Sequence, residues 1–215
     1  MSTANGDAPG DVRAVLWLAT GNAKKRAELE RLLAPLGFAL KTLVDLPAPI
    51  ELVEDAPDFA GNAARKAIAV ARAARAPALG DDSGLCVDTL GGRPGVLSAR
   101  YGGLGASDAD RIALLLTELR GVPPERRTAR FVCSLCLATE DGRIAATIED
   151  TCEGRIASAP AGAGGFGYDP IFVPDATAVS AEGPTMAELS AAQKDAISHR
   201  GRALRRLVEV LRAWR

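Results

Sequence analysis

Four short islands in the chain hold the residue types that chemistry needs: TGNAKK (20–25), GDDSGL (80–85), GGFGYDPIF (164–172) and SHRG (198–201). In order, they supply lysines beside a threonine and an asparagine, two adjacent carboxylates, aromatics in a glycine-rich loop, and a histidine–arginine pair. Together they suit a site that grips a nucleoside triphosphate and a divalent metal ion.

The first island lies where the apolar run AVLWLAT (14–20) meets a helical pattern. First-turn N–H groups and the helix dipole there face whatever lies beyond, which favours an anion. Thr20 and Asn22 add side-chain contacts, and Lys24 or Lys25 a point charge. A plain helix cap with solvated lysines accounts for the same residues, since Asn caps helices well. The G-x-x-x-x-G-K-[ST] spacing of a Walker A loop is absent.

In GDDSGL, like charges on adjacent residues are unfavourable unless a cation or donor offsets them. Mg²⁺ does so naturally, binding one or two protein carboxylates together with phosphates and water. On an extended chain Asp81 and Asp82 point opposite ways, so one of them faces a site. An acidic β-turn is the competing reading. Glu51, Glu54 and Asp55 stand ready as a second ligand.

Gly162, Gly164 and Gly167 match G-x-G-x-x-G, yet Pro170 follows and no helix opens there, which argues against a dinucleotide fold. Phe166 or Tyr168 instead offers a face for a planar base, or else packs into the core. His199 is the single histidine, so a multi-histidine metal centre is excluded. A lone His on a helix is more often a packing or solvent residue; with Arg200 beside it and Lys194 nearby, it also offers converging N–H donors for a carbonyl oxygen or a phosphate.

These islands must be positioned by ordinary globular elements. The chain has 215 residues, is 47% apolar and 25% charged, and carries a formal net charge of −1. It has no basic field for a nucleic-acid polymer. No segment has the length and apolarity of a membrane span and the N-terminus lacks a signal-peptide pattern, so a soluble, cytoplasmic protein is expected. Residues 1–12 are expected as a disordered tail and 13–215 as one domain. Cys133 and Cys136 form C-x-x-C within RFVCSLCLA, which reads as a strand. Their spacing puts them on opposite faces, as core thiols rather than a metal pair.

Helices are expected over 22–37, from Asp58 through the Ala-rich 59–75, after a Ser107/Asp110 capping box, and from Ser190 or Ser198 to Trp214. A further capped turn is expected at Thr185/Glu188. Residues 77–90 read as two short strands around an acidic turn, 128–154 as a long hairpin turned at Asp141–Gly142, and DPIFV as a strand. Strands alternating with helices, plus a hairpin, require a mixed α/β sheet.

Read in order, TGNAKKRAEL, EDAPDFAGNAARKA, DDSGLCVDTLGGRPGVLSARYGG, GGFGYDPIF and KDAISHRGRAL resemble the inosine triphosphate pyrophosphatase family over residues 15 to about 210. The resemblance implies an elongated central sheet flanked by helices, two lobes around an active-site cleft, and a homodimer. It implies Mg²⁺-dependent cleavage of ITP, dITP or XTP to the monophosphate and pyrophosphate. Thr20, Gly21, Asn22 and Lys25 fall on its phosphate motif, Asp82 on the proposed general base beside the metal, Ser83 on a substrate contact, and Glu54 on a metal-binding carboxylate. Phe166, Gly167, Tyr168 and Asp169 match the segment around the base, and Lys194, His199 and Arg200 the remaining substrate contacts. Donors from His199 and Arg200 accept a 6-oxo purine and oppose the amino group of adenine.

Gly61 departs from the pattern, since an acidic residue usually precedes Asn62 in relatives; this puts part of the metal's surroundings in question. The stretch 174–184 is longer than typical. Two other readings are a Maf-like pyrophosphatase for modified pyrimidines and a catalytically silent nucleotide-binding module.

Overall fold

A computed structural model describes residues 14–103, 105–175 and 183–213. The expected tail at 1–12, most of the expected long loop at 174–184 and the helix end at Trp214 lie outside the described residues.

Six strands form one sheet in the order β2-β1-β3-β4-β5-β6: β1 (Val15–Ala19), β2 (Ala39–Thr42), β3 (Ala78–Val87), β4 (Thr128–Ala138), β5 (Ile144–Ile156) and β6 (Phe172–Pro174). Strand β1 runs parallel to β2 and β3, and the remaining pairs are antiparallel. The expected mixed sheet flanked by helices is therefore what the chain forms. The hairpin β4–β5 turns at 141–142 as its Asp-Gly pair implies, with Gly142 at φ 83°.

Side-chain alternation divides the near half of the sheet into two cores. Leu16, Leu18, Leu79, Cys133, Leu135 and Leu137 face helices α1 (Ala23–Leu33) and α5 (His199–Ala213). Trp17, Ala19, Ala78, Cys136 and Ala138 face α2 (Phe59–Ala74), whose small residues Ala63, Ala67 and Ala71 permit close approach. Cys133 and Cys136 thus occupy opposite cores as free, buried thiols. A third core covers the far end, where Leu85, Val87 and Phe131 meet Ile112, Leu115 and Leu119 of and just after α3 (Asp108–Glu118). The junction between near and far cores is where β3 carries its polar residues 81–83.

Three local expectations are corrected. Residues 78–87 form one continuous strand rather than two strands around an acidic turn, because cations on both faces neutralise the adjacent acids and β4 pairs with the whole length. The C-terminal helix is two: α4 (Ala191–Ile197), capped by Ser190, and α5, which restarts after Ser198 turns extended at ψ 155°. Both expected start points are used, and the Ser198 hydroxyl accepts from the Gly201 N–H. In DPIFV, Asp169–Ile171 form a single 3₁₀ turn and only Phe172–Pro174 pair as a strand. The capping boxes at Ser107/Asp110 and Thr185/Glu188 form as their spacing indicates.

Candidate active site

The turn from β1 into α1 spends its polar groups on itself. The Asn22 side chain accepts from the Lys24 and Lys25 N–H groups at 2.9 and 3.1 Å, and the Asn22 N–H donates to Thr20. Gly21 has open space around it. The lysines then part. Lys25 turns inward and its ammonium lies 2.9 Å from Asp81, whereas Lys24 reaches Asp108 on α3.

Asp81 and Asp82 diverge across β3. Asp81 is fully buried and binds Lys25 and the Arg200 guanidinium, the latter at 2.6 Å. Burial would raise its carboxyl, but Arg200 and Lys25 outweigh it and hold the group well below the usual carboxylate range. Asp82 faces α2, where the Lys66 ammonium sits 2.9 Å away and the Asn62 amide donates at 3.1 Å. Close approach of α2 makes this reach possible: a Cβ on Gly80 would lie 2.1 Å from the Ala63 carbonyl oxygen.

Lys66 bridges Asp82 to Glu54, at 2.6 Å. Burial disfavours both charges, yet each holds the other: Lys66 is raised by Asp82 and Glu54, and Glu54 is lowered by Lys66. Of the three acids considered before α2, Glu54 turns into this groove, Asp55 pairs with Arg65 on the surface, and Glu51 is exposed. The Arg100 guanidinium donates to the Glu54 carbonyl at 2.9 Å, steadying its loop. At Gly61 the N–H completes the Asp58 cap, and a Cβ would come within 2.7 Å of Ala56. An acid at that position would require the 56–58 turn to move.

The donor set fits a small hard cation that shares its shell with a ligand. Glu54 and Asp82 present carboxylate oxygens to one groove of about 500 Å³, and an ammonium already holds the space between them. Among the described residues no group of three or more His, Cys, Asp or Glu is placed to hold a metal.

A second, more enclosed cavity continues from the groove, and the two share Asn22, Lys25, Ser83 and Ala99. Phe166 forms part of its wall, with the Lys194 ammonium 4.7 Å from the ring centroid. Tyr168 is buried and its hydroxyl donates to the Ser98 carbonyl, so the half-buried Phe166 is the aromatic of the pair with the more accessible ring. Asp169 accepts from the Phe166 N–H and from Lys194, both at 2.7 Å.

His199 and Arg200 start α5 at the cavity's floor. The His199 ring stacks on Phe131, with centroids 4.9 Å apart and planes 12° from parallel. Burial, then the charges of Arg200 and Lys194, hold its imidazole well below the usual range, so it is neutral. Its Nδ1 is buried without a hydrogen-bond partner, a polar atom left for a ligand. Arg200 is fixed through Nε, Nη1 and Nη2 by Asp81, Glu28 and Ser83.

The structure therefore brings the nominated residues onto one cleft: Thr20, Gly21, Asn22, Lys25, Glu54, Asp82 and Ser83 line its open end, and Phe166, Gly167, Tyr168, Asp169, Lys194, His199 and Arg200 its enclosed end. Sequence reasoning passed over Glu28, Asn62, Lys66 and Phe131. Asn62 and Lys66 share an i, i+4 helical face, which is the one sequence signal that they meet a common partner; Glu28 pairs with Lys194 and Arg200, too distant in the chain for spacing to report.

Comparison with known proteins agrees with the motif resemblance. The Ham1 family model matches residues 16–210. The dITP/XTP pyrophosphatase of Geobacillus kaustophilus is 50% identical over 192 residues, covering 89% of this chain and 91% of the relative. That of Mycolicibacterium paratuberculosis is 48% identical over 200 residues, covering 91% and 95%. A HAM1 protein from Coxiella burnetii shares the fold with a TM-score of 0.82 at 37% identity, over 93% of this chain and 99% of that one. By family model, identity and fold alike, the chain belongs to the Ham1 family.

Proposed function

We propose that the chain hydrolyses non-canonical purine nucleoside triphosphates (ITP, dITP and XTP) to the monophosphate and pyrophosphate. The observation that carries this reading is the continuity of the cleft. A groove with lysines and carboxylates runs into an aromatic-walled cavity, and Asn22, Lys25 and Ser83 line both. A triphosphate in the groove and a base in the cavity satisfy both ends. The names of the two bacterial relatives support dITP and XTP among these substrates.

In this reading Lys25 and Lys66 hold the triphosphate and stabilise the leaving pyrophosphate. Asp82, fixed by Lys66 and Asn62, takes the proton from the attacking water, help that is typically worth about 10²–10⁴-fold in rate. Glu54 and Asp82 would hold Mg²⁺. When bound, that ion supplies charge neutralisation at the phosphates. In the cavity, Phe166 covers the base, Asp169 and Lys194 fix the loop that carries it, and Ser83 with Arg200 lines the passage to the sugar. N–H groups of Arg200 and His199 meet the 6-oxo group, while the amino group of adenine would set donor against donor. Residues 13–215 act as one pyrophosphatase domain, working as a homodimer in the cytoplasm with no polymer or membrane partner.

The test is pyrophosphate release from ITP, dITP, XTP, GTP and dATP, with and without Mg²⁺. Release that favours the 6-oxo, non-guanine substrates and stops with EDTA is expected. Preference for modified pyrimidines, or tight ITP binding with no release, would replace this reading with one of its rivals.

A further inference from the structure

The enclosed cavity and an outer groove of about 550 Å³ share Asp108, Phe166 and Gly167, so these residues form the partition between them. Phe166 and Gly167 are part of the proposed base site; Asp108 has no role in the mechanism above. Its Oδ2 accepts from the Gly167 N–H at 2.9 Å and from the Lys24 ammonium at 3.1 Å, and its Oδ1 accepts from Arg111. Arg111 in turn donates to the Ala99 and Ala106 carbonyls at 2.9 and 2.6 Å. One carboxylate thereby joins the first turn of α1, the loop before α3 and the glycine-rich loop.

The glycine-rich loop needs such a tie. Gly167 takes φ 61° and has no atom near where a side chain would stand, so side-chain packing does not fix it. Two carboxylates pin its successive amides instead. Asp169 holds the Phe166 N–H and Asp108 holds the Gly167 N–H. Lys24, held by Asp108, also stands 5.8 Å from the Phe166 ring centroid.

We infer that Asp108 is a positioning residue for base recognition: it sets Phe166 over the base cavity and closes that cavity from the outer groove. This rests on the reading of the cavity as the purine site. Asp108→Ala and Asp108→Asn test it, with ITP as substrate, tripolyphosphate as an inhibitor that fills only the phosphate groove, and hydrogen exchange at the Gly167 amide. Asp108→Ala should raise KM for ITP about tenfold, the loss of one charge-assisted hydrogen bond, with kcat within about threefold. Tripolyphosphate inhibition should stay unchanged and Gly167 should exchange faster. Asp108→Asn keeps an acceptor for the amide and should fall between, and it carries the comparison if the alanine variant does not fold. Wild-type KM and wild-type exchange, or equal weakening of ITP and tripolyphosphate, would overturn the inference. A wild-type protein inert toward ITP defeats the purine reading alone, and exchange at Gly167 then still decides whether Asp108 holds the loop.

Discussion

Asp81 and Asp82 are consecutive on β3, yet Asp81 is locked to Arg200 at 2.6 Å on one face and Asp82 to Lys66 at 2.9 Å on the other. Their replacements should therefore fail differently. Asp82→Asn should lower turnover by about 10²–10⁴-fold and cost less stability than Asp81→Asn, because Asp82 pairs with one cation and Lys66 keeps Glu54 at 2.6 Å. Asp81→Asn leaves a buried guanidinium opposite Glu28 alone, and removing one partner of such a pair typically costs about 3–5 kcal/mol. Steady-state rates with urea unfolding on both variants check this; an active Asp82→Asn enzyme removes Asp82 from the mechanism.

Phe166→Ala should weaken ITP without unfolding the protein, because Lys194 keeps its contacts with Asp169 and Glu28. Aromatic stacking on a base is worth about 1–3 kcal/mol, so KM should rise on the order of 10-fold or more. A KM for ITP equal to wild type would place the base elsewhere.

Acid should destabilise the protein through His199. Its folded imidazole is held well below the usual range, so below about pH 6.5 the unfolded chain binds a proton that the native state does not. Stability then falls as pH drops, by up to about 1.4 kcal/mol per pH unit from this group. The Asp81 carboxyl is depressed below its ordinary range, so its contribution is lost only at much lower pH. Urea midpoints of wild type and His199→Asn at pH 7, 6 and 5 should converge as the pH falls. A constant gap between them would mean that His199 does not titrate as described.

Gly80→Ala should cost stability and activity together. The added methyl would collide with the backbone of α2 at Ala63, and overpacking of this kind typically costs about 1–3 kcal/mol. Displacing α2 also moves Lys66 and Asn62 from Asp82. Gly21→Ala, with open space around it, is the stability control. Equal melting temperatures for the two variants would contradict the packing described.

Local chemistry was readable from the sequence and distant pairing was not. The caps at Ser107 and Thr185, the 141–142 turn and the opposed faces of Cys133 and Cys136 each depend on neighbours a few residues away. Spacing alone leaves the acid pair open between a cation site and a turn, because its stabilising cations come from α1, α2 and α5. Arg200 lies 119 residues from Asp81 and 172 from Glu28, and no periodicity reports such a contact. Lys66 belongs to an Ala-rich helix and only 3% of its side chain is exposed, because its partners Asp82 and Glu54 come from β3 and the loop before α2. Motif resemblance supplied the convergence of the four islands, but it said nothing of the ion pairs beneath them.

A strand whose side chains alternate has only two ways to be threaded, and β3 uses that parity to sort its two acids. Losing or gaining a single residue between Ala78 and Gly80 would turn Asp82 toward the guanidinium and Asp81 toward Lys66, reversing their surroundings while leaving both acids in place. Frame within this short stretch thus decides which acid meets the guanidinium and which the ammonium.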